Sequence, residues 1–398
     1  MAVTVLLIGI LVFAAHFFAV LFEKTGVPDV LPLFLIGLVL GPLTGIVDPS
    51  FFGSFGKLFA TITLSVILFE GGLRMKINSV LKSFPKSLSL IFLNLIGSVA
   101  LVIFSTQLFF EIPLITSIVI GVILSGTSAT IIVPLVNKLR VKESTKTMLG
   151  LESTLNNVIN IVLVFGLLEA QSLKLTSFLS LAKELGVVFL GSLVLGVLAA
   201  LAWSKILNLF RDLKHSTFTT PAFILTVFGL AELLGANGAI TAFISGITLG
   251  NLPKLNKGRF KIFEKMADFH FTKREDSLLS SLVFLLKTYF FVFIGLTLNL
   301  SNTGYVIWGG VITIILFALR LGVVEIVFGK ALPWFDKQVA RIMIPKGLTE
   351  AALLTLIGSS FLNSISYPVV LFSIIITSIL TFIVKNKAEE KDSELVSV

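Results

Sequence analysis

No cysteine occurs in the 398 residues, which excludes disulfides, thiol chemistry and thiolate metal sites. Histidine is nearly as scarce. His16, His215 and His270 are scattered, without metal-ligand spacing. Charged residues make up only 13% of the chain, against about 25% in soluble domains. Nothing in the sequence pairs a nucleophile with a base, and no zinc motif or phosphate-binding loop appears. The paired aspartates or Ser/His pair of an intramembrane protease are missing too. An enzyme is therefore not expected, and no cofactor is implied.

What is abundant is hydrophobicity, 56% of all residues. Apolar runs of about 20 residues recur along the whole length, as transmembrane helices require. Barrel strands would instead alternate over segments of about ten residues. An all-α polytopic membrane protein is expected. Its thirteen spans are roughly 2–22, 28–47, 53–73, 86–110, 113–137, 147–169, 182–207, 217–234, 236–253, 277–300, 304–329, 338–360 and 366–384. The first run lacks a basic leader and a small-residue cleavage site, so it reads as a retained helix.

The net charge of +9 could suggest a nucleic-acid partner, but its distribution does not. Of the 31 Lys and Arg, all but Lys57, Lys174, Lys183, Lys287, Arg320 and Lys346 lie in or beside the segments that follow odd-numbered spans. Such one-sided loops face the cytoplasm. The N-terminus is thus expected outside and the C-terminus inside, with 386–398 a short cytoplasmic tail. The charge excess is topological, and no nucleic acid is implied.

Charges inside spans are costly, about 2.5–3.5 kcal/mol at the bilayer centre on insertion scales. They should face the protein interior, pair, or work. Glu152, Lys287, Arg320, Glu325, Lys346 and Glu350 are such residues, while Glu70 sits near a helix end and reads as structural. The fifth span carries "LSGTSATIIVPL", with Gly126, Thr127, Ser128, Thr130 and Pro134. The twelfth carries "MIPKGLTEAALL", with Pro345, Lys346, Gly347 and Thr349. Two Gly/Pro-interrupted polar helices seven positions apart point to the inverted repeats and broken helices of secondary transporters. Broken ends expose carbonyls and N–H groups that charged side chains can neutralise.

The sixth span opens with "GLESTLNNVIN". Glu152, Asn156 and Asn160 share one helix face, with Ser153 and Asn157 in the neighbouring row. Carboxylate, amide and hydroxyl oxygens are the ligands hard cations prefer. Ser, Thr and Asn also hold membrane helices together, and for Thr127, Ser128, Thr130 and Asn160 both roles stay open.

In this order the motifs resemble the monovalent cation:proton antiporter superfamily, in its sodium/proton exchanger (NhaP-like) branch. The likeness runs nearly end to end: "TGVPDVLPLFLIGLVLGP", "VILFEGGLRM", "SGTSATIIVPLV", "GLESTLNN", "GLAELLGANGAITAFISGITLGN", "FFVFIGLTL", "ALRLGVVEIVFG" and "PKGLTEAAL". The resemblance implies the sodium/proton antiporter fold and a homodimer in the lipid bilayer. A dimerisation or scaffold domain would take 1–80 and 175–300. A core that moves like an elevator would take 81–174 and 301–385. The resemblance further implies a core salt bridge between Glu152 and Arg320. Thr127, Ser128, Ser153, Asn156 and Asn157 fall with Glu152 on the ion-site positions for Na+, or for Li+ or K+, exchanged against H+. Zero cysteines with many Lys and Phe fit the plasma (inner) membrane of a prokaryote.

The sequence departs from the family pattern at the chemistry. Where the family has its ion-exchanging aspartate, this chain has Asn157. Thr127-Ser128-Ala129 replaces Thr-Asp-Pro, and Lys287 stands where exchangers often have a glutamate. An amide does not titrate, so Asn157 cannot exchange a proton for a cation. Lys287, Lys346 and Glu350 become possible proton carriers or helix-end charges, with Glu152 a further acid. Three readings follow: an exchanger with a rewired proton site, an inactive or locked antiporter, or a non-coupled ion pathway or sensor.

Overall fold

The structure is a computed structural model that describes residues 2–25, 27–48, 55–75, 77–172, 178–210, 218–255 and 272–396. His215 and His270 lie outside these, as do Lys76, Lys174, Arg211, Lys214 and much of the basic segment 254–274. The described residues form helices and no strand. In chain order they are α1 (Ala2–Thr25), α2 (Val30–Leu38), α3 (Phe55–Arg74), α4 (Ile77–Phe109), α5 (Leu114–Ser125), α6 (Ala129–Lys138), α7 (Glu143–Ser172), α8 (Phe178–Phe210), α9 (Thr219–Leu233), α10 (Gly238–Leu255), α11 (Lys273–Thr297), α12 (Thr303–Phe328), α13 (Trp334–Ile342), α14 (Leu348–Ile357) and α15 (Ser360–Val396). A π-helical turn, Val39–Leu43, extends α2 around Pro42, whose missing N–H cannot continue the α-helical ladder.

Among the described residues, eight helical segments are long and apolar enough to cross a membrane, and five shorter apolar helices accompany them. Each overlaps one of the expected spans, with ends that differ by several residues. Two of those spans are not single helices: the fifth comprises α5 and α6, and the twelfth comprises parts of α13 and α14. The expected short tail is not a separate segment, because α15 continues through it to Val396. Exposed Phe13, Phe104, Val194, Leu198 and Ile326 give α1, α4, α8 and α12 apolar outer surfaces, which suit lipid rather than water.

The chain divides into two compact units. One comprises Met1–Lys57, Ser83–Asn160 and Lys287–Val398, the other Leu58–Lys82 and Ile161–Leu286. In the first, a core of Leu90, Ile132, Leu135, Val136, Leu149, Val323, Val324, Val339 and Met343 ties α4, α6, α7, α12 and α13 together. The Asn302 side chain accepts the Gly304 N–H at the start of α12, and Gly329, at φ 49°, ends that helix. Asp336 on α13 accepts from the Lys142 N–H at 3.0 Å and from the Thr145 hydroxyl at 2.6 Å, capping the start of α7.

In the second unit, α3 meets α10 at Gly72, Gly246 and Gly250, where any Cβ would strike backbone. Small residues allow such close helix approach in membranes. Trp203 on α8 stacks on Phe223 of α9 at 4.6 Å between ring centroids. Asn237 caps α10 by accepting the Ile240 N–H at 3.0 Å.

Candidate functional site

Two interruptions of helix build the site. α5 stops at Ser125, and α6 starts at Ala129, so Gly126, Thr127 and Ser128 run non-helically between them. α13 stops at Ile342 and α14 starts at Leu348. Pro345 in that gap has no N–H to donate. The two gaps cross: the Ser128 N–H donates to the Pro345 carbonyl at 2.8 Å. The approach is close enough that a Cβ on Gly347 would overlap Ser128, and one on Gly126 would overlap the Glu350 carboxylate. Glycine at these two positions is what lets the gaps cross.

Each gap leaves helix ends with unpaired backbone groups and partial charge. Lys346 is 2% exposed and its Nζ donates to the Gly126 carbonyl, the C-terminal end of α5, at 2.8 Å. Its own N–H donates to Ser373 Oγ on α15 at 2.8 Å. Glu350 Oε2 accepts the Gly347 N–H at the start of α14 at 2.7 Å. A cation thus meets the negative end of one half-helix and an anion the positive end of the other.

Beside the crossing, Glu152 on α7 and Arg320 on α12 form a buried ion pair, at 1% and 0% exposure. Both carboxylate oxygens are engaged: Arg320 Nη1 donates to Oε1, and Nη2 to Oε2 at 2.8 Å. Asn94 Nδ2 adds a third donor to Oε1 at 3.3 Å. Arg320 Nε donates to the Ala340 carbonyl at 3.0 Å, fastening α12 to α13. Such bidentate pairing is how a buried carboxylate and guanidinium keep their charge.

The amide row of α7 packs against the end of α5. Asn156 Nδ2 donates to the Ser125 carbonyl at 3.1 Å, and Ser125 Oγ donates to Asn160 Oδ1 at 3.3 Å. Ser153 bonds within its own helix, to the Gly150 carbonyl at 3.0 Å. Ser128 Oγ lies 2.9 Å from Thr130 Oγ1. The remaining oxygens are unusual. Thr127 Oγ1, Asn156 Oδ1, Asn157 Oδ1 and Glu350 Oε1 are buried without a hydrogen-bond partner among the described residues. Each such group costs about 1–3 kcal/mol, and each calls for an explanation. Hydroxyl and amide oxygens of this kind suit a hard monovalent cation. Among the described residues no three His, Asp or Glu gather as a metal cluster.

The other intramembrane charges lie apart from this arrangement. Lys287 lies within α11, which runs unbroken past it. Its Nζ pairs with Asp29, just before α2, at 2.7 Å. Glu325 is half-exposed and bridges Lys337 and Arg341. Glu70 accepts from Arg74 one turn on, at 2.9 Å. Asp29, Asn94 and Asp336 are the partners that sequence reasoning missed. Only Asn94, a lone amide in the apolar run "LIFLNLIG", carried a local signal.

Comparison with known proteins gives a consistent result. The family model "Sodium/hydrogen exchanger, transmembrane" matches residues 9–386. The Na(+)/H(+) antiporter 1 of Methanocaldococcus jannaschii is 24% identical over 361 residues, covering 86% of this chain and 80% of that protein. The Na(+)/H(+)-K(+) antiporter GerN of Bacillus cereus is 24% identical over 379 residues, covering 90% and 89%. The solved structure of the sodium proton antiporter MjNhaP1 from M. jannaschii at pH 8 superposes with a TM-score of 0.72 at 21% identity, covering 96% of each chain. The fold is therefore that of MjNhaP1.

Proposed function

The chain belongs to the sodium/hydrogen exchanger family, and from that premise we propose that it exchanges a monovalent cation, Na+ foremost, for protons across the membrane. Relatives named as Na(+)/H(+) and Na(+)/H(+)-K(+) antiporters support the class of reaction. In this reading the segments 81–174 and 301–385 move as an elevator core against a dimeric scaffold of 1–80 and 175–300. All the residues of the crossing fall in the core segments. The membrane is the inner membrane of a prokaryote, with the C-terminus in the cytoplasm.

The observation that carries the proposal is the set of buried, unpartnered oxygens on Thr127, Asn156 and Asn157. We assign Ser128, Ser153 and Glu152 as further polar groups of the ion site. Glu152 holds the core through Arg320. The helix-end charges Lys346 and Glu350 stabilise the broken helices around the path.

Asn157 favours a second reading, because an amide in the ion-exchanging position removes the usual proton switch. A locked antiporter or a non-coupled ion pathway would follow from it. Proteoliposomes with an imposed pH gradient separate the readings. Exchange is expected to dissipate the gradient on addition of Na+, with Li+ and K+ compared alongside and Asn157→Asp run in parallel. Silence of the native chain with activity of Asn157→Asp would instead identify an antiporter without its switch. Cation flux without proton movement would identify a non-coupled pathway.

A further inference from the structure

Exchange requires a group that loses a proton as the cation binds. Asn157 has none to lose, and both oxygens of Glu152 are held by Arg320. Glu350 differs from Glu152. It is 1% exposed, and only its Oε2 is engaged, by the Gly347 N–H at 2.7 Å. Its Oε1 is buried without a partner among the described residues and lies against Gly126, where the two gaps cross. Capping α14 engages Oε2 and leaves Oε1 without a donor.

We infer that Glu350 is the proton-carrying group of the exchange, coupled to the cation by charge at the crossing. This rests on the cation site proposed above. The charges facing Glu350 are few. Lys346 stands at the head of the same half-helix. α5, packed on α14, has no titratable side chain, and α15 brings Tyr367, whose hydroxyl meets Thr355 at 2.9 Å. Glu152 and Arg320 beyond Lys346 cancel each other.

With Glu350 ionised, the four buried charges Glu152, Arg320, Lys346 and Glu350 sum to zero. Adding a cation gives one net positive charge, and adding a proton to Glu350 gives the same. Adding both gives two, which a low-dielectric interior disfavours strongly. Cation and proton therefore compete without sharing a ligand. One proton is exchanged per cation, and no net charge moves.

The test is calorimetry of Na+ binding to the purified full chain, in buffers of different ionisation enthalpy, which counts protons released. At a pH low enough that Glu350 carries its proton before Na+ binds, the native chain is expected to release about one proton per Na+. Glu350→Gln, fixed in the uncharged state, is expected to bind Na+ at least tenfold more weakly. Combining Glu350→Gln with Lys346→Gln restores zero net charge. Na+ binding is then expected to return, with no proton released and no dependence on pH.

Undiminished proton release from Glu350→Gln would overturn the inference. Proton release from the double variant, or its failure to bind Na+, would do the same, the latter assigning Glu350 a structural role. If the native chain binds no Na+ at all, the cation-site reading fails and takes this inference with it. Na+ binding by the native chain without proton release overturns the inference alone.

Discussion

Lys346 reaches from one interrupted helix to the other, its ammonium 2.8 Å from the Gly126 carbonyl that ends α5. Two residues that are 220 apart in sequence thus close one helix end. The Ser128 N–H and the Pro345 carbonyl make the matching backbone link at 2.8 Å. The crossing is held by main-chain groups and by charges placed at helix ends, and the α7 amides close one side of it.

Gly126 has no room for a side chain. A Cβ there would displace the Glu350 carboxylate. Gly126→Ala is expected to keep the helical fold but reduce cation/proton exchange at least tenfold. Circular dichroism and proteoliposome flux on the same preparation check both halves. Normal flux from Gly126→Ala would contradict the geometry of the crossing.

Removing one partner of the Glu152–Arg320 pair leaves a buried charge alone. Arg320→Gln or Glu152→Gln is expected to destabilise the protein by about 3–5 kcal/mol, the double substitution by less than the sum. Unfolding in detergent, run as a double-mutant cycle, measures the coupling. Additive effects would mean that the two side chains do not act as a pair.

Much of this architecture was legible in the sequence. Apolar run lengths marked the segments, and Gly126 and Pro345 marked the interruptions, because backbone rules act locally. The polar row of Glu152, Asn156 and Asn160 followed from helical spacing alone. Partners distant in sequence were not legible. Asp29 lies 258 residues from Lys287, and nothing near either residue announces the other. Asp336 looked like an ordinary loop-side acid, although it caps α7 from 191 residues away. The pairing of Glu152 with Arg320 came from family resemblance, since spacing says nothing across 168 residues.

The Asp29–Lys287 pair gives a test of which charges matter for coupling. Both side chains are about one-sixth exposed, at 16% and 15%. Lys287→Gln is expected to cost about 1–3 kcal/mol of stability while leaving the number of protons exchanged per cation unchanged. Loss of proton coupling in that variant would move the carrier to Lys287.

Asn157→Asp adds an acid beside the unpartnered oxygens of the site. It is expected to tighten cation binding and to raise proton release above the native value, because a second group now titrates. Calorimetry in two buffers reads both quantities. Unchanged binding and proton release would show that position 157 does not face the cation.

The most direct test follows both ions at once, by recording tracer Na+ uptake and proton efflux in one proteoliposome preparation while the membrane voltage is clamped. The result expected is one proton out for each Na+ in, at a rate that does not change with voltage. Na+ uptake without proton efflux, or a ratio that shifts with voltage, would contradict an exchange carried by one cation site and one carboxylate at the crossing of the broken helices.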